Sequence, residues 1–305
     1  MTIQTIDCKN AAEFIQTLRP SNPRWLQKTD WKCHWIFRGQ SADWPLLPSA
    51  WREKARDEEL YQTVARWDHD SSVDEILKDS SLQAFGLSEH LDNARLLVIQ
   101  NRFEFHAVRA FADLVDDLGL EIPGGTLPKR RSFAPLSWVN LDPPLHPTVG
   151  LAQHHGMPTR LLDWTHNPLK AAFFAADRAE PNTPGRIIVW AANRLVLAQC
   201  NHSEFTVQRS QIGYLHAQEG LFTYPELTNA EYQFVQSGKW PTLEESVSHD
   251  GLCKVTLANS EIPELTRLLW SERITKAHLM PTLDNVNAAL RTAWRISLEA
   301  TRSKS

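Results

Sequence analysis

Two groups of residues have the composition of a ligand-binding or reactive site. The first is Phe37-Arg38-Gly39-Gln40. Arginine presents a planar fork of donors that matches a phosphate or carboxylate through two bonds at once. A glycine beside it lets a ligand approach the backbone. The plainer role for Arg38 is a structural pair with a buried carboxylate, and the bare residues leave both open. The second group is Gln153, His154, His155, Thr159, Arg160, Asp163, Trp164, Thr165 and His166, interrupted by Gly156 and Pro158. So many polar side chains need partners if buried.

Several familiar chemistries are missing. The spacing of His154, His155, Asp163 and His166 fits neither HExxH nor a Cys/His finger, so no metal is expected. There is no GxSxG nucleophile elbow, GxxxxGK[ST] phosphate loop or GxGxxG fingerprint. Cys8, Cys33, Cys200 and Cys253 are scattered, which suits reduced cytosolic thiols better than a disulfide framework. The net charge of −4 argues against a protein that simply coats nucleic-acid phosphates. No basic start with an apolar run opens the chain, and no stretch reaches the roughly 18 apolar residues of a span. A cytoplasmic, non-membrane protein is therefore expected. The 12 Trp against 3 Met point to a rigid core, with some indoles lining a cleft.

These groups must be positioned by the elements around them. Residues 11–19 read as a helix capped by Asn10 and ended by Pro20 and Pro23. Residues 31–38 alternate as a strand that ends at Gly39 and delivers Arg38 to its edge. A helix is expected from Ser49 to Trp67, and helical core packing from Val73 to Leu118 through Phe103, Phe105, Phe111, Leu114, Val115 and Leu118. Residues 119–148 are rich in Pro and Gly, an insertion or functional loop whose Lys129-Arg130-Arg131 is a candidate anion contact. From Thr148 the chain reads helix, turn, helix, with Asn167-Pro168 opening the second helix. Strands are expected at 186–192, 214–224 (with Gly220 a bulge or close-approach point) and 251–258, and helices at 261–270 and 284–299. Helices early, strands late and no regular βαβ alternation give an α+β fold.

The stretch LAQHHGMPTRLLDWTHNPLKAAFFA, with FRGQ before it and AQEGLFTYP (Ala217–Pro225) after it, resembles the FRG domain family. The resemblance runs over about residues 30–290, to the segment from Ile262-Pro263 to Leu283-Asp284. It implies a helical extension at 1–29, an FRG domain at 30–290 and a helix end and tail at 291–305. The family's layout is distantly similar to that of ADP-ribosyltransferases. This implies a single domain with a helical N-terminal half packed on a mainly antiparallel split β-sheet, and NAD as substrate. Arg38, His155, Glu219 and Gln218 then become catalytic candidates. Arg38, Gly39, Gln40, Gln153, His154, Thr159, Arg160, Asp163, Trp164 and Phe222 would bind the dinucleotide, with Trp164 or Phe222 stacking on nicotinamide. Strand alternation lets only one of Gln218 and Glu219 face the cleft. If Gln218 does, the carboxylate comes from Asp163, Glu204 or Glu226. The implied activity is mono-ADP-ribosylation of RNA, DNA or protein by a bacterial toxin or anti-phage effector, with a neutralising antitoxin as partner. A nucleotide-binding sensor without turnover, or an NAD or nucleic-acid hydrolase with a histidine base, uses the same pocket.

Overall fold

The computed structural model describes residues 2–26, 33–67, 89–122, 124–125, 145–207, 213–225 and 227–302. Strand β1 (Gln4–Asp7) opens the chain. Helix α1 (Ala11–Leu18) follows, capped by Asn10, whose side chain accepts from the Glu13 N–H. Its Phe14 and Leu18 are fully buried, each worth about 1.5–3 kcal/mol. Strand β1 joins the sheet of the body, and α1 packs into its main core.

Strand β2 (Trp35–Gln40) begins later and runs further than expected, so Gly39 lies within it. The helix expected from Ser49 is broken into 3₁₀ turns at Ser49–Trp51 and Glu53–Asp57, and α2 (Glu59–Trp67) begins only afterwards. Tertiary bonds override helix propensity here. Ser49 is tied to Thr159, the Trp51 indole to Glu104, and extended backbone at Arg52 and Glu58 interrupts the winding.

Helix α3 (Leu91–Asp117) buries Phe103, but Leu114 and Leu118 are exposed, so its last turns are not core. Residues 73–88 and the Lys129–Arg131 triplet lie outside the described residues. Helix α4 (His146–His154) is followed by strand β3 (Leu162–Thr165) where only a turn was expected, and the second helix then opens at Asn167-Pro168 as expected. Leu162 and Trp164 point into one core while Asp163 is exposed, the period-2 pattern of a half-buried strand. Then come α5 (Pro168–Asp177), β4 (Arg186–Asn193), α6 (Arg194–Gln199) and β5 (His202–Phe205).

The strand expected over 214–224 divides into helix α7 (Gly213–Gln218) and strand β6 (Gly220–Pro225). Glu219 between them has φ 53°, a left-handed helix end that stops the winding. Gly220 is an ordinary ladder residue opposite Thr165, not a bulge. The remaining elements are α8 (Leu227–Ser237), α9 (Leu243–Ser246), β7 (Leu252–Ala258), α10 (Ile262–Ser271), α11 (Lys276–Leu279) and α12 (Leu283–Arg302). The boundary expected at 290 falls inside α12.

The strands form one seven-stranded sheet in the order β1-β7-β4-β2-β3-β6-β5, antiparallel except at β1–β7. The α+β class holds, and the sheet is continuous, not split in two. It is narrowest between β2 and β3, which share the single registered pair Phe37↔Thr165. One face packs on α1, α5 and α10 through Phe14, Phe37, Ala171, Ala175, Val189 and Leu265. The other face holds Ile36, Leu46, Leu162, Trp164 and Trp190. Helices α2, α3 and α8 share a third cluster, where the rings of Trp51 and Trp240 stack at 4.2 Å.

Candidate functional site

The site lies where β2 and β3 part. Beyond the Phe37↔Thr165 pair the ladder lapses, and a side chain bridges the gap. Arg38 Nη1 donates to the Asp163 main-chain carbonyl at 2.8 Å and to Asp163 Oδ2 at 3.3 Å. The arginine side chain is 17% exposed and the aspartate 51%, so the pair sits at the rim. Such a pair contributes only about 0–1 kcal/mol to stability. Arg38 Nε is buried and makes no hydrogen bond among the described residues.

Asp163 is positioned from behind. Gln153, in the last turn of α4, donates from Nε2 to Asp163 Oδ2 at 3.0 Å and accepts at Oε1 from the Thr159 hydroxyl at 2.5 Å. Thr159 in turn exchanges bonds with Ser49: its N–H donates to Ser49 Oγ at 3.1 Å, and that hydroxyl donates to the Thr159 carbonyl at 3.2 Å. Thr159 therefore fixes the amide orientation of Gln153, which fixes the carboxylate. His154 is close enough to Asp163 to feel its charge. Burial, and then His155 beside it, still hold the His154 imidazolium below the ordinary range. It is therefore neutral at pH 7.

Arg52 joins this group. Burial, and then the charges of Arg38 and Arg178, lower its pKa, while Asp163 raises it. Arg52 Nε is anchored on the Leu47 carbonyl at 3.1 Å. Arg38, Asp163 and Arg178 are thus all close enough to Arg52 to act on its charge, and the excess of guanidinium groups over carboxylate suits an anion. Sequence reading missed Arg52 and Arg178 because each sits among charged residues that look like a solvated helix face. The signal came only from the fold.

The structure brings Arg38, Gln153, His154, Thr159 and Asp163 together. It assigns other roles to the remaining candidates. A methyl group on Gly39 would fall 1.9 Å from the Ala171 carbonyl oxygen. Its glycine therefore admits the α5 backbone, not a ligand. Gln40 is buried and accepts from the Trp190 indole at 3.0 Å. Trp164 and Phe222 are both 3% exposed, and the Trp164 indole donates to Thr223, so neither presents a face for stacking. Arg160 points inward: its Nε donates to Glu104 Oε2 at 2.5 Å and its Nη2 to Asn101 at 2.9 Å. His155 is exposed and stacks with Phe111 at 6.1 Å.

Gln218 and Glu219 are not on strand positions, so the alternation argument does not apply to them. Gln218 Nε2 donates to the Leu279 carbonyl at 3.3 Å, and its own carbonyl accepts from the Thr165 hydroxyl. Glu219 accepts from Lys170 Nζ at 2.7 Å, and that ammonium also bonds the Ala217 carbonyl. Its carbonyl takes the His166 N–H at 3.2 Å, which ties α7 to the turn before α5. Asn167 caps that helix through the Leu169 and Lys170 N–H groups. Glu204 is held by Arg194 in a two-bond pair, and Glu226 lies outside the described residues. Asp163 is thus the carboxylate beside Arg38. No group of three or more His, Cys, Asp or Glu suited to a metal occurs among the described residues.

Residues 130–183, which include α4, β3 and α5, match the family model of the FRG domain. The chain thus carries an FRG-domain match over this segment. No curated protein and no solved structure matches it. The FRG match covers the Gln153–Thr159–Asp163 relay, whereas Arg38 and Arg52 reach the site from outside the matched segment. No helix among the described residues is long and apolar enough to cross a membrane.

Proposed function

We propose that this FRG-domain protein is an NAD-dependent mono-ADP-ribosyltransferase acting on a macromolecule. The observation that carries the reading is the Arg38–Asp163 pair at the rim of the β2–β3 junction, with Arg52 close enough to feel both charges. Arg38 and Arg52 would take the pyrophosphate, for which planar forks are suited. Asp163, oriented by Gln153, would stabilise the positive charge that builds on the ribose. The N-glycosidic bond breaks with its electron pair leaving on nicotinamide. The ribosyl carbon is then captured by a nucleophile of the acceptor, whose proton passes to neutral His154. Removing one preorganised charge partner of this kind costs about 10²–10³ in rate.

In a bacterial cell such an activity is that of a toxin or anti-phage effector, held in check by a neutralising partner. RNA, DNA and protein all remain acceptors compatible with the chain's acidic balance. Labelled ADP-ribose transferred to a cell extract, then digested with RNase, DNase or protease, identifies which. A second reading is a nucleotide-binding sensor without turnover. It is favoured by the burial of Trp164 and Phe222, neither of which offers nicotinamide a ring face, and by the ion pair that engages Asp163. Saturable NAD binding with no nicotinamide release decides for the sensor.

A further inference from the structure

A buried polar network lies directly behind the segment that positions Asp163. Arg160 follows Thr159 in the chain and is fully buried. Its Nε donates to Glu104 Oε2 at 2.5 Å and its Nη2 to Asn101 Oδ1 at 2.9 Å; Asn101 Nδ2 donates onward to Glu231 Oε1 at 3.2 Å. Asn101 thus stands between the guanidinium and a second buried carboxylate. The third nitrogen, Arg160 Nη1, is buried with no hydrogen-bond partner among the described residues, and a buried donor left unpaired is costly. Glu104 also holds the facing turn. Its Oε1 accepts from the Trp51 indole at 3.0 Å and from Gln100 Nε2 at 2.9 Å, and that amide bonds the Ala50 carbonyl at 2.9 Å. The Ser49 hydroxyl and the Ala50 N–H in turn bond the Thr159 carbonyl at 3.2 and 3.1 Å. Glu104 therefore grips Thr159 twice, along the chain through Arg160 and across it through residues 49–51.

We propose that Arg160 is a positioning residue for the Arg38–Asp163 site and that Glu231 is its proton switch. With Glu231 neutral, Arg160 is committed to Glu104 and Thr159 is held. Loss of the Glu231 proton creates a second buried carboxylate whose neighbour is an uncharged amide. A buried charge without a charged partner is strongly disfavoured, and the spare Arg160 Nη1 is the donor at hand. Arg160 turns toward Glu231, its bond to Glu104 lengthens, and Thr159 moves with the backbone. The Thr159 hydroxyl then releases Gln153, and Gln153 releases Asp163. Coupling between two sites needs an element with two discrete arrangements. Arg160, with two carboxylates to choose between, is that element. The inference rests on the β2–β3 junction being the functional site proposed above, and it concerns the control of that site, not the identity of its ligand.

The surroundings of Glu231 set the range of the switch. Burial pushes its carboxyl up to about 7, with Arg160 and the Asn101 bond opposing that shift and Glu104 adding to it. The site is therefore ordered below pH 7 and loosens as pH rises through that value. Arg160 before β3 and Glu104 on α3 are the charged groups that face Glu231. Helix α8 itself adds no other carboxylate or base, and its Tyr232 is exposed. In the same cluster α2 contributes Tyr61, whose hydroxyl burial pushes further up. Arg102 on α3 acts on His106 of its own helix.

The test is an NMR titration of the full-length protein between pH 5 and pH 8, without ligand. Two reporters lie in the relay: the Gln153 side-chain amide, and the Leu161 N–H, which donates to the Thr159 hydroxyl at 3.2 Å. In the wild type both signals should shift in a one-proton step with a midpoint near pH 7. The carboxyl carbon of Glu231 should titrate with the same midpoint. Glu231→Gln, close in shape and unable to ionise, should remove the step from both reporters. Thr159→Val should leave the Glu231 carboxyl titrating and remove the step at Gln153, because the hydroxyl that links them is gone. Any step contributed by neighbouring histidines persists in both variants, so the step that counts is the one they lose. Circular dichroism confirms that each variant is folded. The absence of a step near pH 7 in the wild type overturns the proposal. So do a Gln153 step that survives Glu231→Gln and one that survives Thr159→Val. Because the readout needs no ligand, a failure of the NAD reading, seen as absent nicotinamide release, is distinguished from a failure of this coupling.

Discussion

Glu231 gives the sharpest quantitative consequence of the fold. It is buried on α8, where its Oε1 accepts from Asn101 at 3.2 Å within the network of Glu104 and Arg160. The Arg160 and Glu104 side chains are each 2% exposed, so two carboxylates compete for one buried guanidinium. Arg160 is already committed to Glu104. Burial therefore raises Glu231 from 4.5 to about 7, with Arg160 and the Asn101 bond opposing that shift and Glu104 adding to it. The folded state then holds a proton that the unfolded state has released between pH 4.5 and 7. Where the native state binds more protons, stability falls as pH rises. The loss begins near the unfolded value and is complete once pH passes the folded one.

A displacement from 4.5 to about 7 corresponds to about 3 kcal/mol at about 1.4 kcal/mol per unit. Glu231→Gln keeps the shape and an acceptor for Asn101 but cannot ionise. Urea unfolding of both proteins at pH 5, 6, 7 and 8 measures the effect. The variant should gain about 2–3 kcal/mol on the wild type between pH 5 and pH 8, with most of the change below pH 7. A difference that stays flat with pH, or one that grows above pH 7 instead, would falsify the assignment of a protonated Glu231 beside the Arg160–Glu104 pair.

Other substitutions separate structural from ligand-facing roles. Gly39→Ala forces a methyl group against the Ala171 carbonyl and should cost at least about 1–3 kcal/mol by denaturant titration; wild-type stability would contradict the strand–helix contact. Arg160→Met leaves Glu104 charged and buried, so a loss of about 3–5 kcal/mol is expected. Thr159→Val removes the hydroxyl that orients Gln153 while leaving Arg38 in place. NAD affinity should change little while turnover falls, and calorimetry beside rate measurement reads the two apart. Because burial lowers the His154 pKa, the acid limb of activity should lie below the ordinary imidazole range. A limb at or above that range would remove His154 as the proton acceptor.

Much of this architecture was legible in residue pattern. The Asn10 cap, the Asn167-Pro168 helix start and the apolar run at 186–192 carry local signals that tertiary contacts reinforce. The errors cluster where tertiary contacts override local preference. Residues 49–58 have helical composition, yet Ser49 and Trp51 are claimed by Thr159 and Glu104, and the chain winds in short 3₁₀ turns. Strand β3 is four residues long, too short for periodicity to separate it from a turn, although it carries Asp163. A left-handed glutamate before a glycine leaves no pattern in the sequence, and strand alternation does not extend across the break at Glu219. Within the site, Arg38 and the Gln153–Asp163 run were visible as residue types. Which polar groups face inward was not, since Arg160 and Asp163 differ only in the side of the chain they leave. Arg52 became visible only when the fold placed it beside Arg38.

The central claim is that Arg38 and Asp163 form an NAD-cleaving site, and nicotinamide release by the purified protein tests it most directly. Wild-type protein incubated with NAD, with and without cell extract, should release nicotinamide. Arg38→Ala and Asp163→Asn should each reduce the rate by about 10²–10³, while Glu219→Gln should leave it within a few-fold. No release under any of these conditions would contradict the account, as would release that depends on Glu219 and is indifferent to Asp163.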